Sequence, residues 1–287
     1  MSSLRLAACP HTKAHWALRP HFGVGAWLAI AGPLVLGGAP SSQALSVSPT
    51  VVELRAATGT QTRGVFHVVN DTEAPMTLSV ELEPLSQTGY ASRRPRDWLQ
   101  VSPTTLQLLP QEQAEVAYLV SIPPETQGEL AAEVVFVQNM AGAATSGIQV
   151  RFGMALYAAI AGTERLQVAI GPMLLRGGTS PTVVIPLTND GNVHCRPEGS
   201  VAVLGAGNTP LARGTLTRGL PSPPGREEHF TVSLADASLP AGRYRLSADL
   251  TCHATAAPPA RLTAEQPGQL DDHGQWIPTQ PPSAPSR

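Results

Sequence analysis

From Leu45 onward the chain is built of short runs rich in β-branched residues, cut at roughly 8–12-residue intervals by Pro, Gly, Asn or Asp. Helical periodicity is nearly absent, so the apolar residues can be buried only on strands that alternate between two faces. The sequence carries 28 Pro and 26 Gly, enough to punctuate many short strands. The expectation is an all-β fold. In the first half, strands are predicted over Ser46 to Leu54, Gly64 to Asn70, Met76 to Glu83, Trp98 to Ser102, Ala114 to Ile122, Glu129 to Gln138 and Gly147 to Ile160, the strand complement of one immunoglobulin-like sandwich.

The pattern then begins again. The segment 65-VFHVVND-71 is echoed by 184-VIPLTND-190, and 110-PQEQAEVAYLVSIP-123 by 224-PGREEHFTVSL-234. In each case an Asn-Asp closes an apolar strand, and a Pro followed by polar residues opens a later one. Two sandwiches in tandem are expected, over residues 45–162 and 163–265, with the boundary near 161-AGTE-164. The remainder, 266–287, is rich in Pro and polar residues and reads as a disordered tail in which Trp276 and Ile277 are unanchored.

Residues 1–44 differ from everything after them. A basic start is followed by 22-FGVGAWLAIAGPLVLGGA-39 and then by Ser42 and Ala44, the form of a secretory signal peptide cleaved near Leu45. All 21 acidic residues follow position 44, whereas Arg5, Lys13 and Arg19 precede it, leaving 16 basic against 21 acidic residues, a net of −5. That balance excludes a nucleic-acid grip. Lys13 is the only lysine, and beyond the leader Cys195 and Cys252 are the only cysteines. In an oxidising compartment outside the cytoplasm two cysteines favour a disulfide.

The stretch 187-LTNDGNVHC-195 concentrates the groups that could do chemistry. Asn189, Asp190 and Gly191 form a turn signal that the echo at Asn70-Asp71 repeats without His or Cys. A zinc set would combine His194 and Cys195 with 252-CH-253. Neighbouring strand residues point to opposite faces, so if the cysteines meet, the histidines face away. A Cys195–Cys252 disulfide across neighbouring antiparallel strands is therefore expected, with no metal and no cofactor. G-x-S-x-G, H-E-x-x-H, P-loop and dinucleotide fingerprints are missing. His67 and His229 read as ordinary strand histidines, the adjacent Glu227 and Glu228 diverge, and the basic loop 92-SRRPRD-97 reads as solvated. No enzyme is expected.

The run 101-VSPTTLQLLPQEQAEVAYLVSIPP-124, then Glu129 to Gln138 and 148-IQVRFGMALYAAI-160, resembles the periplasmic pilus-assembly chaperones; 47-VSPTVVEL-54 and 68-VVNDTEAPMTLSVELEP-84 fit the same pattern. The resemblance implies two immunoglobulin-like domains that donate a strand to an incomplete pilus or surface-protein subunit, with an outer-membrane assembly protein as a further partner. The donated strand would be the last of the first domain, with Ile148, Val150, Phe152, Met154 and Leu156 on one face; the same face could equally fill the core. The family's anchor for the client carboxylate, an Arg on the first strand and a Lys on the last, has no counterpart here, since the first strand reads 49-PTVV-52 and no lysine remains. Arg151 and Arg63 are the substitutes to consider. The family's charged signature after the fifth strand is replaced by 126-TQGE-129. The rival reading is an envelope structural or adhesion module of tandem sandwiches that binds no client strand.

Overall fold

The structure, a computed structural model, describes residues 45–85, 90, 93–139, 149–235, 238–255 and 257–279. The expected leader and Ile148 lie outside the described residues. Among those described, regular structure is almost entirely strand, and no helix is long and apolar enough to cross a membrane.

The first sandwich contains β1 (Leu45–Ser48), β2 (Val51–Ala56), β3 (Gln61–Asn70), β4 (Met76–Pro84), β5 (Leu99–Ser102), β6 (Thr105–Leu108), β7 (Gln113–Ser121), β8 (Glu129–Asn139) and β9 (Gln149–Ile160). One sheet runs β1-β3-β7-β5 and the other β2-β9-β8-β4-β6. The run expected as one strand from Ser46 to Leu54 is two. Pro49, with no N–H to give a ladder, sits where the chain leaves β3 and crosses to β9. The strand β6 was not foreseen, because 105-TLQL-108 is short and follows a proline. Between the sheets Phe66 packs on Phe136 edge to face, with centroids 5.9 Å apart, and on Tyr118 at 5.2 Å. Trp98, Leu130 and Leu156 complete a core with almost no exposed surface.

The second sandwich contains β10 (Val168–Ile170), β11 (Leu174–Arg176), β12 (Thr182–Asn189), β13 (Arg196–Leu204), β14 (Pro210–Leu216), β15 (Arg226–Ser233), β16 (Gly242–His253), β17 (Ala260–Leu270) and β18 (Trp276–Pro278). The strands β10 and β11 pair with successive halves of β12, which also pairs with β15; the facing sheet runs β14-β13-β16-β17-β18. Its core, with Met173, Leu175, Ile185, Leu246 and Leu250, is distinct from the first.

The expectation of a disordered tail from Gln266 is overturned over 266–279, while 280–287 lie outside the described residues. Gln266 is buried and its amide closes both polar groups of Met173, each at 2.8 Å. Leu270 and Trp276 belong to the second core. The indole lies over Gly268, where a Cβ would stand 2.3 Å from its ring. A strand whose inward positions are Gln, Gly and Leu does not look apolar, which is why composition misread it.

The two internal echoes are structural. Asn70 and Asn189 are both fully buried at strand ends. The Asn70 carbonyl accepts from the Gln111 N–H at 2.8 Å, and the Asn189 carbonyl from the Gly225 N–H at 2.7 Å. Both donors follow a proline and have positive φ, 62° at Gln111 and 69° at Gly225. A left-handed conformation strains glutamine and not glycine. Gln111→Gly is therefore expected to stabilise the first sandwich by about 0.5–1 kcal/mol, read as a higher denaturant midpoint at unchanged slope.

Candidate functional site

The last strand of the first sandwich is covered unevenly. On one side β9 pairs with β8 from Gln149 to Ala159. On the other, β2 runs parallel to it and reaches only from Ala155 to Ile160. The Ala155 N–H points to the β2 side, donating to the Thr50 carbonyl at 3.2 Å. In a strand, alternate residues direct both backbone groups to the same side, so Arg151 and Gly153 direct theirs past the end of β2, where no described strand pairs with them. Among the described residues this is an open sheet edge, a template for another extended chain.

The side chains along it grade from half-buried to buried. Val150 is half-buried and outside the core cluster; Phe152 is half-buried and packs against it. Met154 is buried at its border and Leu156 has no exposed surface. The face read from sequence as one continuous stripe is therefore two regions, an accessible one at Val150 and Phe152 and a core one from Met154 onward. Arg151, on the opposite face, forms ion pairs with Glu81, at 3.2 Å, and Glu83. Arg63 is exposed on β3, in the other sheet, so the structure does not bring the two arginines together.

The stretch 187–195 joins the sandwiches. Asn192 holds the connecting segment, with its amide donating to the Thr163 carbonyl at 2.9 Å and its oxygen accepting from the Arg165 N–H at 2.6 Å. Gly191 lies where a Cβ would be 2.3 Å from the Arg165 carbonyl, and Gly128, at φ 76°, where one would be 2.8 Å from the Asn192 carbonyl. Only glycine permits those approaches. Gly128 and Glu129, from the segment 126-TQGE-129, thus form half of an interdomain contact.

Its other half is His194, buried with 1% exposure against Glu129 at 2%. The His194 N–H donates to Glu129 Oε2 at 2.9 Å, and Nδ1 lies 2.9 Å from both Glu129 oxygens. Nε2 faces Glu53 Oε1 at 3.2 Å, and Glu53 also accepts from Arg196 Nε at 2.8 Å and from the Thr255 hydroxyl. Tyr157 packs on the imidazole with centroids 4.1 Å apart. Sequence reasoning weighed His194 only as a zinc ligand and missed these partners. The hydrogen bond from His194, with those from Thr255 and Arg196, holds Glu53 well below the usual carboxylate range against the opposing effect of burial. Burial pulls the His194 pKa down, but the hydrogen bonds and charges of Glu129 and Glu53 outweigh it and hold it above its ordinary value. Burial raises the Tyr157 and Tyr90 hydroxyls.

Cys195 and Cys252 are bonded, with Cα atoms 5.5 Å apart. The bond is diagonal rather than directly across the ladder. Cys252 stands opposite Pro197, whereas Cys195 precedes β13 and exchanges backbone hydrogen bonds with Ser222.

No family model matches the chain, and no curated protein matches it. Solved structures of similar chain path include the YadV chaperone, 10% identical with a TM-score of 0.42 over 83% of this chain and 99% of that one. The E. coli chaperone DraB is 15% identical, with a TM-score of 0.41 over 77% of this chain and 96% of that one. The Salmonella enterica SafA pilin in complex with the SafB chaperone gives 13% identity and a TM-score of 0.43 over 78% and 97%.

Proposed function

We propose that the protein is a non-catalytic, chaperone-like binder of a client polypeptide, acting in the periplasm or outside the cell. It takes up an extended segment of a pilus or surface-protein subunit on the open edge of β9, by main-chain pairing at Arg151 and Gly153 with Val150 and Phe152 supplying apolar contact. The observation that supports this reading best is that β2 stops short of the first half of β9 and leaves there an apolar-faced edge that no described strand pairs with. The secretory form of residues 1–44 and the net acidic balance of the rest fit a binder of polypeptide in an oxidising compartment. Met154 and Leu156 are assigned to the fold rather than to the client. Arg151 would reach a client carboxylate only by exchanging Glu81 or Glu83 for it, so the main chain carries the affinity.

Val150→Asp is the test. Because Val150 is half-buried and outside the core cluster, the variant is expected to keep its cooperative melt to within about 1 kcal/mol, while losing capture of the client in a pull-down from periplasmic extract read by mass spectrometry. Undiminished capture would sink the edge-binding reading. Loss of the cooperative melt would place Val150 in the core and favour the structural module.

A further inference from the structure

We propose that His194 is a protonation-controlled latch between the two sandwiches: as an imidazolium clamped between Glu129 and Glu53 it locks them in mildly acidic medium, and it releases them as the pH rises. The inference does not depend on the client-binding reading.

The geometry calls for one proton more than a neutral imidazole carries, and an imidazolium between two carboxylates supplies it. Both ring nitrogens face carboxylate oxygens, Nδ1 at 2.9 Å and Nε2 at 3.2 Å. A neutral imidazole has one N–H and one lone pair, so one of its nitrogens would direct a lone pair at a carboxylate in a buried site. The groups facing the ring come from every element around it. From the first sandwich these are Glu53 on β2, Glu129 on β8 and Tyr157 on β9, with Tyr90 6.0 Å from Tyr157. From the second they are Arg196 on β13 and Thr255; beyond Arg196, His253 lies 2.9 Å from Glu198. Arg55, further along β2, is taken by Glu164 at 2.8 Å. With His194 charged, the set of buried His194 and Glu129 and half-buried Glu53 and Arg196 is balanced. With His194 neutral, one carboxylate charge is left without compensation, and where it falls on buried Glu129, loosening the contact between the sandwiches rehydrates it.

The direction follows from linkage. A histidine whose folded-state pKa lies above its unfolded value of about 6.5 contributes all of its stability below that pH and loses it as the pH climbs through the folded value. Glu53, held low, contributes above the unfolded value of about 4.3 and loses that contribution only in strong acid. The contact is thus tightest between these limits and loosens on the alkaline side. The Cys195–Cys252 bond immediately follows His194, so the residue that titrates sits next to one crosslinked to β16.

The test uses the exported full chain. The His194 ring protons, followed by NMR from pH 5 to 10, are expected to titrate above the ordinary histidine range, and in Glu129→Gln to titrate at lower pH. Thermal midpoints at pH 6 and pH 9 are expected to differ by about 2–4 °C more in the wild type than in His194→Gln, the shift that a kilocalorie-scale contact gives in a chain of this size. Superimposable pH profiles for the two proteins, or a His194 that titrates at or below the ordinary value, would overturn the proposal. The NMR titration of the wild type decides the matter even if His194→Gln does not fold.

Discussion

Replacing Cys195 and Cys252 together by alanine is expected to lower the stability of the second sandwich by about 4 kcal/mol, the loop-entropy value for a crosslink of this span. The two cysteines are separated by 57 positions and neither has exposed surface. The double replacement therefore restores to the unfolded chain the freedom of a long loop, and the missing sulfurs leave a void that adds to the loss. The consequence reaches the first sandwich as well. Cys195 is covalently fixed to β16, and the residue before it places its ring on Glu129 and Glu53. Without the bond, the segment Asn192–Cys195 loses its covalent tie to β16 and is held only by non-covalent contacts: the Ser222 pairing, the Asn192 and Asn189 hydrogen bonds and the His194 contacts themselves. Guanidinium melts with and without reductant, monitored separately for each sandwich, should show an earlier transition for the second and a weaker coupling between the two. Coincident curves for oxidised and reduced protein would refute it.

What could be read from the sequence was whatever period two and turn chemistry control. The β-sandwich class, the Asn-Asp echo and the cysteine pair all depend on neighbours close in sequence or on a strand order that such sandwiches share. What could not be read depends on pairing over long separations. His194 meets Glu129 across 65 positions and Glu53 across 141, and nothing local to 187-LTNDGNVHC-195 names those partners. A signal existed at 126-TQGE-129, where a glycine precedes a lone carboxylate at a strand start, but a glycine that must approach another backbone looks the same as one that merely turns. The strand β17 escaped for a different reason. Its inward residues Gln266 and Gly268 are polar or absent in side chain, and their burial makes sense only once Met173 and Trp276 are placed against them. The open edge of β9 was only half legible. Alternation located the apolar face, but where β2 stops, and hence which residues remain accessible, is set by the crossing at Pro49 and Thr50.

The echo itself leads to the second large effect, at Asn70 and Asn189. The Asn70 amide nitrogen donates to the carbonyls of Ala74 and Leu109, both at 2.9 Å, and of Leu108 at 3.3 Å; its oxygen accepts from the Thr72 N–H at 3.0 Å and the Thr72 hydroxyl at 2.6 Å. Asn189 repeats the arrangement, donating to Val193 and Ser222, each at 3.0 Å, and accepting from the Gly191 N–H at 2.9 Å. Each residue closes its own turn with the oxygen and ties a remote loop with the nitrogen. Alanine removes both the amide donor and the turn acceptor. The Leu109, Ala74 and Ser222 carbonyls keep a second donor in the Glu112 N–H, the Thr72 hydroxyl and the Cys195 N–H, so the loss falls on the Leu108 and Val193 carbonyls and on the Thr72 and Gly191 N–H groups. At about 1–3 kcal/mol for each such group, eased by relaxation, Asn70→Ala and Asn189→Ala are each expected to cost about 2–4 kcal/mol. Aspartate separates the two roles. It keeps the accepting oxygen and suits the turn as well as asparagine does, but it has no N–H and sets a second acceptor against carbonyls in a buried site. Asn70→Asp and Asn189→Asp are therefore expected to be at least as destabilising as the alanine variants at neutral pH. The first should act on its own sandwich, whereas the second should also loosen the interdomain contact, because Val193 leads directly to His194. Urea unfolding of the four variants distinguishes the cases: aspartate tolerated at either site would mean that the turn alone, and not the tie to the remote loop, explains why that asparagine is buried.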